Sequence, residues 1–402
     1  MDLRNLRRKN DSRMIMLIMD GLGGIRNDDF PRTALETAKT PNLDALVETG
    51  LCGRSMPIGR GITPGSGPAH LALFGYDPLA PENETGRGVV EVTGTGFDLE
   101  PDDIAIRGNF ATMDGSGVLT DRRAGRIPHE EGVRLCEKLS GAIDEIDGVE
   151  VIIMPVREYR FGVVLRGEGL EPDVNDTDPQ VTGRPTLEPE ARSGGAEKTA
   201  RVISRFIDRA REVLEGEDEA NTVLMRGVSK KPSFEPFEER YGLRAAAIAA
   251  YPLYRGVARL CGMTLVDTGF EVEEEFRTVA SIWDDGYDFV FIHVKKTDSY
   301  GEDGNLEGKA GVIEKVDSAL PILLGLEPDV IAVTGDHSTP CALKSHSWHP
   351  VPFLIKSDYC GWDGVSEFGE TACDRGGLGV FPAVSIIPLM LANAGRLRKF
   401  GA

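Results

Sequence analysis

Acidic residues and a histidine follow two continuous apolar runs of strand length. Asp20 comes directly after residues 14–19, and Asp336 and His337 come shortly after residues 330–334. Apolar runs that are closed by glycine-containing turns predict buried strands of a parallel sheet. Open α/β sheets bind their ligands at the carboxyl ends of such strands. The chemistry expected at these positions is therefore ligand binding by carboxylate and imidazole groups.

A third apolar run, residues 289–294, leads to two more acidic residues. Asp298 follows this run, Glu302 lies four residues further on, and His346 and His349 come later in the chain. Divalent cations prefer oxygen and imidazole ligands, and two-metal sites for phosphoryl transfer hold their ions about 4 Å apart. Taken singly, each residue is better explained as a helix cap, a loop carboxylate or a partly buried histidine, but the whole set favours a metal site. Its predicted ligands are Asp20, Asp298, Glu302, Asp336, His337 and His349.

Ser66 lies in a turn rich in glycine and proline, residues 61–70, that leads into an apolar helical stretch. A serine between glycines is most often a turn residue, but a serine hydroxyl next to a metal ion is an activated nucleophile. The chain has neither a G-x-S-x-G elbow nor a G-x-x-x-x-G-K-[ST] loop, which disfavours α/β-hydrolases and P-loop nucleotide-binding proteins. His70 and His346 are candidates for groups that contact the metal ligands, although helix packing explains His70 equally well.

The elements that must position these residues alternate between strand and helix at both ends of the chain. Helical patterns cover residues 306–324 near one end and residues 196–214 in the middle, where short strands otherwise prevail. This alternation predicts an α/β fold with a central, mostly parallel sheet flanked by helices. We expect a core of residues 1–77 and 257–402, with a smaller α/β domain inserted at residues 78–256.

Composition and charge disfavour several classes of protein. The chain has 402 residues, and 45 Lys+Arg against 65 Asp+Glu give a formal net charge of −20, which argues against a nucleic-acid-binding surface. Its 41% of hydrophobic residues is that of a globular protein rather than a disordered one. No segment reaches the ~18–20 apolar residues that span a membrane. Six cysteines without a CxxC pair predict no disulfide framework or thiolate zinc site, so we expect a cytoplasmic protein without nucleic-acid or membrane partners.

Motifs along nearly the whole chain resemble one family. They are Leu17-Ile-Met-Asp20-Gly-Leu-Gly, Thr40-Pro-Asn, Pro64-Gly-Ser66, Arg107-Gly-Asn-Phe, Asp121-Arg-Arg-Ala-Gly-Arg126-Ile, Asp176-Thr-Asp-Pro179, His293-Val-Lys-Lys-Thr-Asp298 and Thr334-Gly-Asp-His337-Ser-Thr-Pro. Together they resemble the archaeal-type cofactor-independent (2,3-bisphosphoglycerate-independent) phosphoglycerate mutases. The resemblance implies the fold and two-metal chemistry of the alkaline phosphatase superfamily.

The resemblance also implies a set of roles. One metal ion would be held by Asp20, Ser66, Asp336 and His337, and the other by Asp298, Glu302 and His349. The ions implied are manganese first, then zinc, cobalt or magnesium, with no bisphosphoglycerate cofactor. Ser66 would carry the phosphoryl group as phosphoserine while the freed glycerate reorients. The implied enzyme is an isomerase that interconverts 3-phosphoglycerate and 2-phosphoglycerate in glycolysis and gluconeogenesis.

The implied substrate is a small phosphorylated molecule whose carboxylate and phosphate need cationic partners. Arginine forms bidentate pairs with both groups, and the best-placed candidates are Arg107, Arg122, Arg123 and Arg126. Their alternative role is in ordinary surface ion pairs. We expect the inserted domain to close over the core and exclude water. A homo-oligomer would be common for such a protein, but no sequence feature encodes one.

Three places depart from the family pattern: Glu302, Gly67 and the run Gly86-Arg-Gly-Val-Val-Glu91. Glu302 stands where a histidine ligand is expected, which favours harder metals. Gly67 follows the serine where relatives often carry an acidic residue. Two alternatives therefore stay open: a related metal-dependent phosphotransferase or phosphatase acting on another small substrate such as homoserine, and a metal-binding or metabolite-sensing protein without turnover.

Overall fold

The computed structural model describes residues 3–401. In chain order, its strands are β1 (Met14–Met19), β2 (Leu51–Met56), β3 (Ile104–Met113), β4 (Leu119–Asp121), β5 (Glu145–Ile146), β6 (Val149–Arg157), β7 (Arg160–Arg166), β8 (Thr222–Lys230), β9 (Ala245–Ala249), β10 (Thr264–Val266), β11 (Phe289–Val294), β12 (Val330–Thr334), β13 (Val351–Ser357) and β14 (Val380–Pro382). Its α-helices are α1 (Ala34–Thr37), α2 (Pro41–Glu48), α3 (Ser66–Leu73), α4 (Arg87–Gly94), α5 (His129–Ser140), α6 (Glu197–Val213), α7 (Phe237–Tyr241), α8 (Pro252–Leu260), α9 (Val272–Ile282), α10 (Lys296–Asp303), α11 (Leu306–Leu324), α12 (Glu370–Cys373) and α13 (Ile386–Asn393). Among these described residues, no helix is both long and apolar enough to cross a membrane.

The chain divides into two compact units. The first comprises the described residues up to Asn83 and those from Phe234 onward, and the second comprises Glu84–Ser233. The return to the first unit therefore comes earlier than the predicted residue 257. The physical reason is β9, which pairs in parallel with β11 and so belongs to the sheet of the first unit.

The first unit is built on an eight-stranded sheet in the order β10-β9-β11-β1-β12-β13-β2-β14. The strands from β10 to β12 are parallel, β13 is antiparallel to both of its neighbours, and β14 is parallel to β2. Every residue of β1 and of β12 is buried, as expected of parallel strands that helices cover on both faces. The predicted α/β class with a mostly parallel sheet is confirmed.

The second unit has an antiparallel sheet in the order β4-β3-β7-β6-β5, with β8 paired to β3. Phe110 and Phe161 of this sheet share a buried core with Phe206 of α6. Helix α4 packs closely on β3, since a Cβ on Gly88 would lie 2.3 Å from the carbonyl oxygen of Ala105. The unit is therefore a smaller mixture of helices and strands, like the one expected, but its strands are antiparallel.

Candidate active site

Three adjacent strands bring the acidic candidates together at one edge of the sheet of the first unit. β1 lies between β11 and β12 and is parallel to both. Asp20 directly follows β1, and Asp298 lies in the first turn of α10, just after β11. Asp336 and His337 follow β12. Because the carboxyl ends of parallel strands meet at one edge, these four side chains converge, and all four are buried.

The first cluster consists of Asp20, Asp336 and His337, whose ligand atoms lie within 4.8 Å of one another. His337 Nε2 is 3.3 Å from Asp20 Oδ1 and 3.3 Å from Asp336 Oδ2. Both oxygens are buried, and neither has a hydrogen-bond partner among the described residues. Buried acceptors without donors are costly, and a divalent cation would satisfy both at once. The donor set therefore fits a metal ion.

Ser66 is the first residue of α3 and follows Gly65, whose backbone is extended. Its Oγ lies 3.4 Å from His337 Nε2, which puts the hydroxyl at the margin of the first cluster. A Cβ on the neighbouring Gly67 would meet no heavy atom within 4 Å. The position of a Gly67 side chain is thus open, and the start of α3 supplies N–H groups that suit a phosphate.

The second cluster consists of Asp298, His337 and His346, again with ligand atoms within 4.8 Å of one another. His346 Nε2 is 3.5 Å from Asp298 Oδ1 and 4.0 Å from Glu302 Oε1. His346 Nδ1 donates to the carbonyl oxygen of Pro64 at 2.9 Å. Since a neutral imidazole carries one proton, the Nε2 lone pair of His346 faces the two carboxylates.

His346, rather than His349, lies in the second cluster. His349 Nδ1 contacts Ser347 Oγ at 3.0 Å, and His349 belongs to neither cluster of ligand atoms within residues 3–401. The Ser338 hydroxyl donates to the His349 carbonyl at 3.0 Å. The imidazole beside Asp298 is therefore that of His346.

Lys295 connects the two clusters. Its Nζ donates to Asp20 Oδ2 at 2.7 Å and to Asp298 Oδ2 at 2.6 Å. Burial opposes ionisation of Asp20, but the Lys295 ammonium holds the pKa of that carboxyl well below its usual range. Burial and the neighbouring Asp20 charge instead raise the pKa of Asp336 well above its usual range. The Lys295 ammonium therefore forms ion pairs with Asp20 of the first cluster and Asp298 of the second.

Two further side chains contact the carboxylates of the first cluster from within the core. The Tyr254 hydroxyl donates to Asp20 Oδ2. His70 Nδ1 donates to the backbone carbonyl of Ser66 at 2.8 Å and lies 3.4 Å from Asp336 Oδ2. Burial lowers the pKa of His70 to about 4, so its imidazole is neutral at pH 7. Of the two roles considered for His70, the structure favours contact with the cluster.

Lys309 fixes the loops that carry the ligands. Its buried Nζ donates to the carbonyl oxygens of Gly21 at 2.6 Å, Gly23 at 3.3 Å and Thr339 at 2.9 Å. The first two belong to the loop after β1, and the third belongs to the loop after β12. Three carbonyl acceptors stabilise a buried ammonium. Lys309 thereby holds the backbone next to Asp20 and His337 in one arrangement.

Arg107 and Arg122, two of the expected substrate arginines, are paired with acidic groups inside the second unit. Arg122 forms a bidentate pair with Asp178, with both N···O distances at 2.7 Å. Arg107 Nη1 lies 3.3 Å from Glu91 Oε1, and both of these side chains are largely buried. Buried ion pairs of this kind orient a guanidinium and also occupy part of its donor capacity.

Arg123 and Arg126, the other two, are exposed and lie on a strained turn. The φ angles of Ala124, Gly125 and Arg126 are 45°, 59° and 55°. This left-handed conformation costs residues with a Cβ ~1–2 kcal/mol each. Strain of this kind concentrates at ligand-binding and switch segments, which makes the turn a candidate for anion binding.

Solved structures with the same two-unit α/β fold define the class of protein. A protein from Pyrococcus horikoshii superimposes with a TM-score of 0.83 at 31% identity, covering 98% of this chain and 100% of that one. The cofactor-independent phosphoglycerate mutase from Thermoplasma acidophilum gives a TM-score of 0.71 at 29% identity, covering 96% and 100%.

Sequence comparison identifies the family. The chain is 50% identical over 408 residues to a probable 2,3-bisphosphoglycerate-independent phosphoglycerate mutase of Aquifex aeolicus, covering 100% of this chain and 99% of that protein. It is 48% identical over 403 residues to a protein of the same name from Thermus thermophilus, covering 100% and 98%. A family model for 2,3-bisphosphoglycerate-independent phosphoglycerate mutase matches residues 48–219. The chain belongs to this family, and the resemblance seen in its motifs is confirmed.

Proposed function

We propose that the protein interconverts 3-phosphoglycerate and 2-phosphoglycerate through a phosphoserine on Ser66, as an isomerase of glycolysis and gluconeogenesis. The observation that carries this proposal is the position of Ser66 Oγ, 3.4 Å from His337 Nε2 and beside a cluster with two buried, unpartnered carboxylate oxygens. A hydroxyl at the edge of a cation site is the arrangement of an activated nucleophile. Similarity over the full chain to proteins named as probable mutases supports the choice of substrate.

Two divalent cations belong to this proposal, in keeping with the superfamily chemistry that the motifs imply. The first would be held by Asp20, Ser66, Asp336 and His337, and the second by Asp298, Glu302 and His346. When bound, such ions offset phosphate charge and favour the ionised form of a serine hydroxyl. Because carboxylates predominate in the second set, we expect manganese first and magnesium next, ahead of zinc and cobalt.

Ser66 acts as the nucleophile. Its Oγ forms a bond to phosphorus as the bond from phosphorus to the glycerate oxygen breaks, and the serine proton ends on that released oxygen. The same exchange in reverse, on the other glycerate hydroxyl, returns the phosphoryl group and regenerates Ser66. The overall reaction therefore gains and loses no atoms, provided that water does not reach the phosphoserine.

The arginines of the second unit are the proposed partners of the substrate anions. Arg123 and Arg126 take precedence over Arg107 and Arg122, because the latter two are already engaged by carboxylates. We place the reaction in the cytoplasm, where thiols stay reduced, in keeping with the six free cysteines. A homo-oligomer stays a prediction.

Incubation with 3-phosphoglycerate and Mn²⁺, followed by ³¹P NMR, tests the proposal. The wild-type chain should form 2-phosphoglycerate without releasing inorganic phosphate. Ser66→Ala should lose about 10⁴-fold or more in turnover, the scale on which loss of a nucleophile acts. Ser281→Ala, at an exposed position of α9, is the matched control and should turn over like the wild type. Acid quenching and mass spectrometry should locate the phosphoryl group on Ser66.

The other outcomes distinguish the alternatives. Inorganic phosphate without 2-phosphoglycerate would overturn the mutase and indicate a phosphatase. Phosphoryl transfer to another small alcohol, such as homoserine, would indicate a related phosphotransferase. Retained Mn²⁺ binding with neither product would indicate a metal-binding or sensing protein.

A further inference from the structure

Thr339 lies between the two clusters. It is fully buried, and its hydroxyl contacts Asp298 of the second cluster and His337, which belongs to both clusters. The Oγ1 atom donates to Asp298 Oδ1 at 2.7 Å and lies 3.0 Å from His337 Nδ1. The hydroxyl therefore forms a direct bridge from the Asp298 carboxylate of the second cluster to the His337 imidazole that the two clusters share.

The direction of these hydrogen bonds follows from counting protons. A carboxylate only accepts, whereas a hydroxyl has one proton to donate. The Thr339 proton therefore points to Asp298, and a lone pair of the hydroxyl faces His337. To make a hydrogen bond at this end, His337 must carry its proton on Nδ1.

The opposite side of the His337 ring agrees with this assignment. If Nδ1 carries the proton, Nε2 has a lone pair, and that lone pair faces Asp20 Oδ1 and Asp336 Oδ2, each at 3.3 Å. Neither oxygen accepts a hydrogen bond from any described residue. Three acceptor atoms that converge where no described residue donates to the two carboxylate oxygens are a donor set that suits a cation.

We propose that Thr339 is a positioning residue that sets the His337 tautomer and couples the two cation sites through Asp298. This inference rests on the proposed function, because it assumes that the clusters hold ions. Metal-binding histidines are commonly oriented by a hydrogen bond to the ring nitrogen that does not bind the ion. Here the partner is a hydroxyl that is itself fixed by a residue of the neighbouring site.

The backbone around Thr339 leaves its hydroxyl little freedom. The Thr339 N–H donates to the carbonyl oxygens of Gly23 at 3.1 Å and Gly21 at 3.2 Å, and the Thr339 carbonyl accepts from Lys309 at 2.9 Å. A Cβ on Gly21 would lie 2.5 Å from Thr339 Oγ1, and a Cβ on Gly301 would lie 2.5 Å from the Thr339 carbonyl oxygen. Two glycines therefore allow the close approach that holds the bridge in place.

Two substitutions at this position separate the hydroxyl from the shape of the side chain. Thr339→Val keeps the volume but removes the hydroxyl, and Thr339→Ser keeps the hydroxyl but removes the methyl group. We expect Thr339→Val to weaken Mn²⁺ binding, measured without substrate by electron paramagnetic resonance of the free ion, by about 10–100-fold. Thr339→Ser should retain affinity within about 3-fold of the wild type, well inside that range. Thr278→Val, in α9, controls for the exchange of a threonine for valine elsewhere.

A second measurement reports the tautomer itself. Nitrogen NMR of protein labelled with ¹⁵N-histidine, after EDTA treatment, should show His337 protonated at Nδ1 in the wild type and in Thr339→Ser. The His337 signal is assigned by its loss in His337→Asn. In Thr339→Val the Nδ1 preference should be lost. The wild-type spectrum alone tests the tautomer, so the test survives if Thr339→Val does not fold.

The outcomes keep this inference apart from the proposed function. A wild-type His337 protonated at Nε2, a Thr339→Val variant with unchanged Mn²⁺ affinity and tautomer, or a Thr339→Ser variant as impaired as Thr339→Val would each overturn the role of the hydroxyl. A wild-type chain that binds no Mn²⁺ but shows the Nδ1 tautomer would overturn the metal sites of the proposed function and the coupling of ions, while the hydrogen-bond assignment would stand.

Discussion

Replacing Lys295 by methionine should destabilise the protein in EDTA and make it depend on divalent cations for stability. The Lys295 ammonium donates to Asp20 at 2.7 Å and Asp298 at 2.6 Å, and these carboxylates are 0% and 4% exposed. Removing one partner of a buried ion pair costs about 3–5 kcal/mol, because the other charge is left uncompensated. In a unit of this size, each kcal/mol shifts the unfolding temperature by about 2–4 °C. The expected loss in EDTA is therefore about 6–20 °C.

Mn²⁺ should reverse most of this loss. An ion present at a thousand times its Kd stabilises the native state by about 4 kcal/mol, and in Lys295→Met it also relieves two uncompensated carboxylates. The rise in unfolding temperature on adding Mn²⁺ should therefore be larger in Lys295→Met than in the wild type, measured by differential scanning calorimetry.

The adjacent lysine provides the matched control. Lys296 pairs with Glu271, and both side chains are at least half exposed, so Lys296→Met should cost about 1 kcal/mol or less. If Lys295→Met and Lys296→Met unfold within about 2 °C of each other in EDTA, less than 1 kcal/mol separates them. That result, or an equal Mn²⁺ effect in Lys295→Met and the wild type, would refute the reasoning.

Two further predictions concern single buried groups. Burial raises the pKa of Glu275 to about 9, well above the ~4.3 of an unfolded chain. The folded state then keeps a proton that the unfolded state loses, so stability falls by about 1.4 kcal/mol per pH unit between these values as pH rises. Glu275→Gln should remove this fall in thermal unfolding from pH 5 to pH 8, whereas the exposed control Glu273→Gln should keep it; parallel pH profiles for Glu275→Gln and the wild type would contradict the prediction. Tyr254→Phe removes the hydroxyl that donates to Asp20 and should weaken Mn²⁺ binding by about 10–100-fold. Calorimetric titration with Mn²⁺ measures this loss, and Tyr241→Phe is the control, because the Tyr241 hydroxyl donates to the backbone carbonyl of Phe74. Equal Mn²⁺ affinities for the two variants would contradict the prediction.

The elements that the sequence predicts well are those with a strong local pattern. Residues 306–324 form a helix with the predicted bounds, and residues 14–19 form a strand with the predicted bounds. The strand Ala245–Ala249 carries no such signal, because four of its five residues are alanine, which is depleted in strands. Its strand conformation comes from pairing with β11 and β10 on either side. Because the sequence does not predict this strand, the predicted return to the core, at residue 257, lies later than the one in the structure, at Phe234.

The residues of the candidate site likewise include some that the sequence predicts and one that it does not. Asp20, Asp298 and Asp336 could be found because each follows a predicted strand, and the order of the strands then brings them together. The choice between His346 and His349 could not be made from sequence, since both lie in the same loop at similar distance from the acidic residues. The His346 imidazole that lies beside Asp298 is oriented by a hydrogen bond to the carbonyl oxygen of Pro64, 282 residues away in the chain.

The hydrogen bonds to the two carboxylates of the first cluster determine which of their oxygens remain for a cation. In each carboxylate, one oxygen accepts hydrogen bonds from the protein and the other faces the cluster. Asp20 Oδ2 accepts from Tyr254 and Lys295, and Asp336 Oδ1 accepts from the N–H groups of Gly21 and His337 at 2.9 and 3.0 Å. Of the four oxygens of these two carboxylates, Asp20 Oδ1 and Asp336 Oδ2 have no hydrogen-bond donor among the described residues. The protein donors therefore determine which oxygens remain for a cation, and of these donors only Tyr254 lies outside the motifs of the sequence analysis. A substitution of Tyr254 or Lys295 should accordingly act on ion binding without removing any ligand.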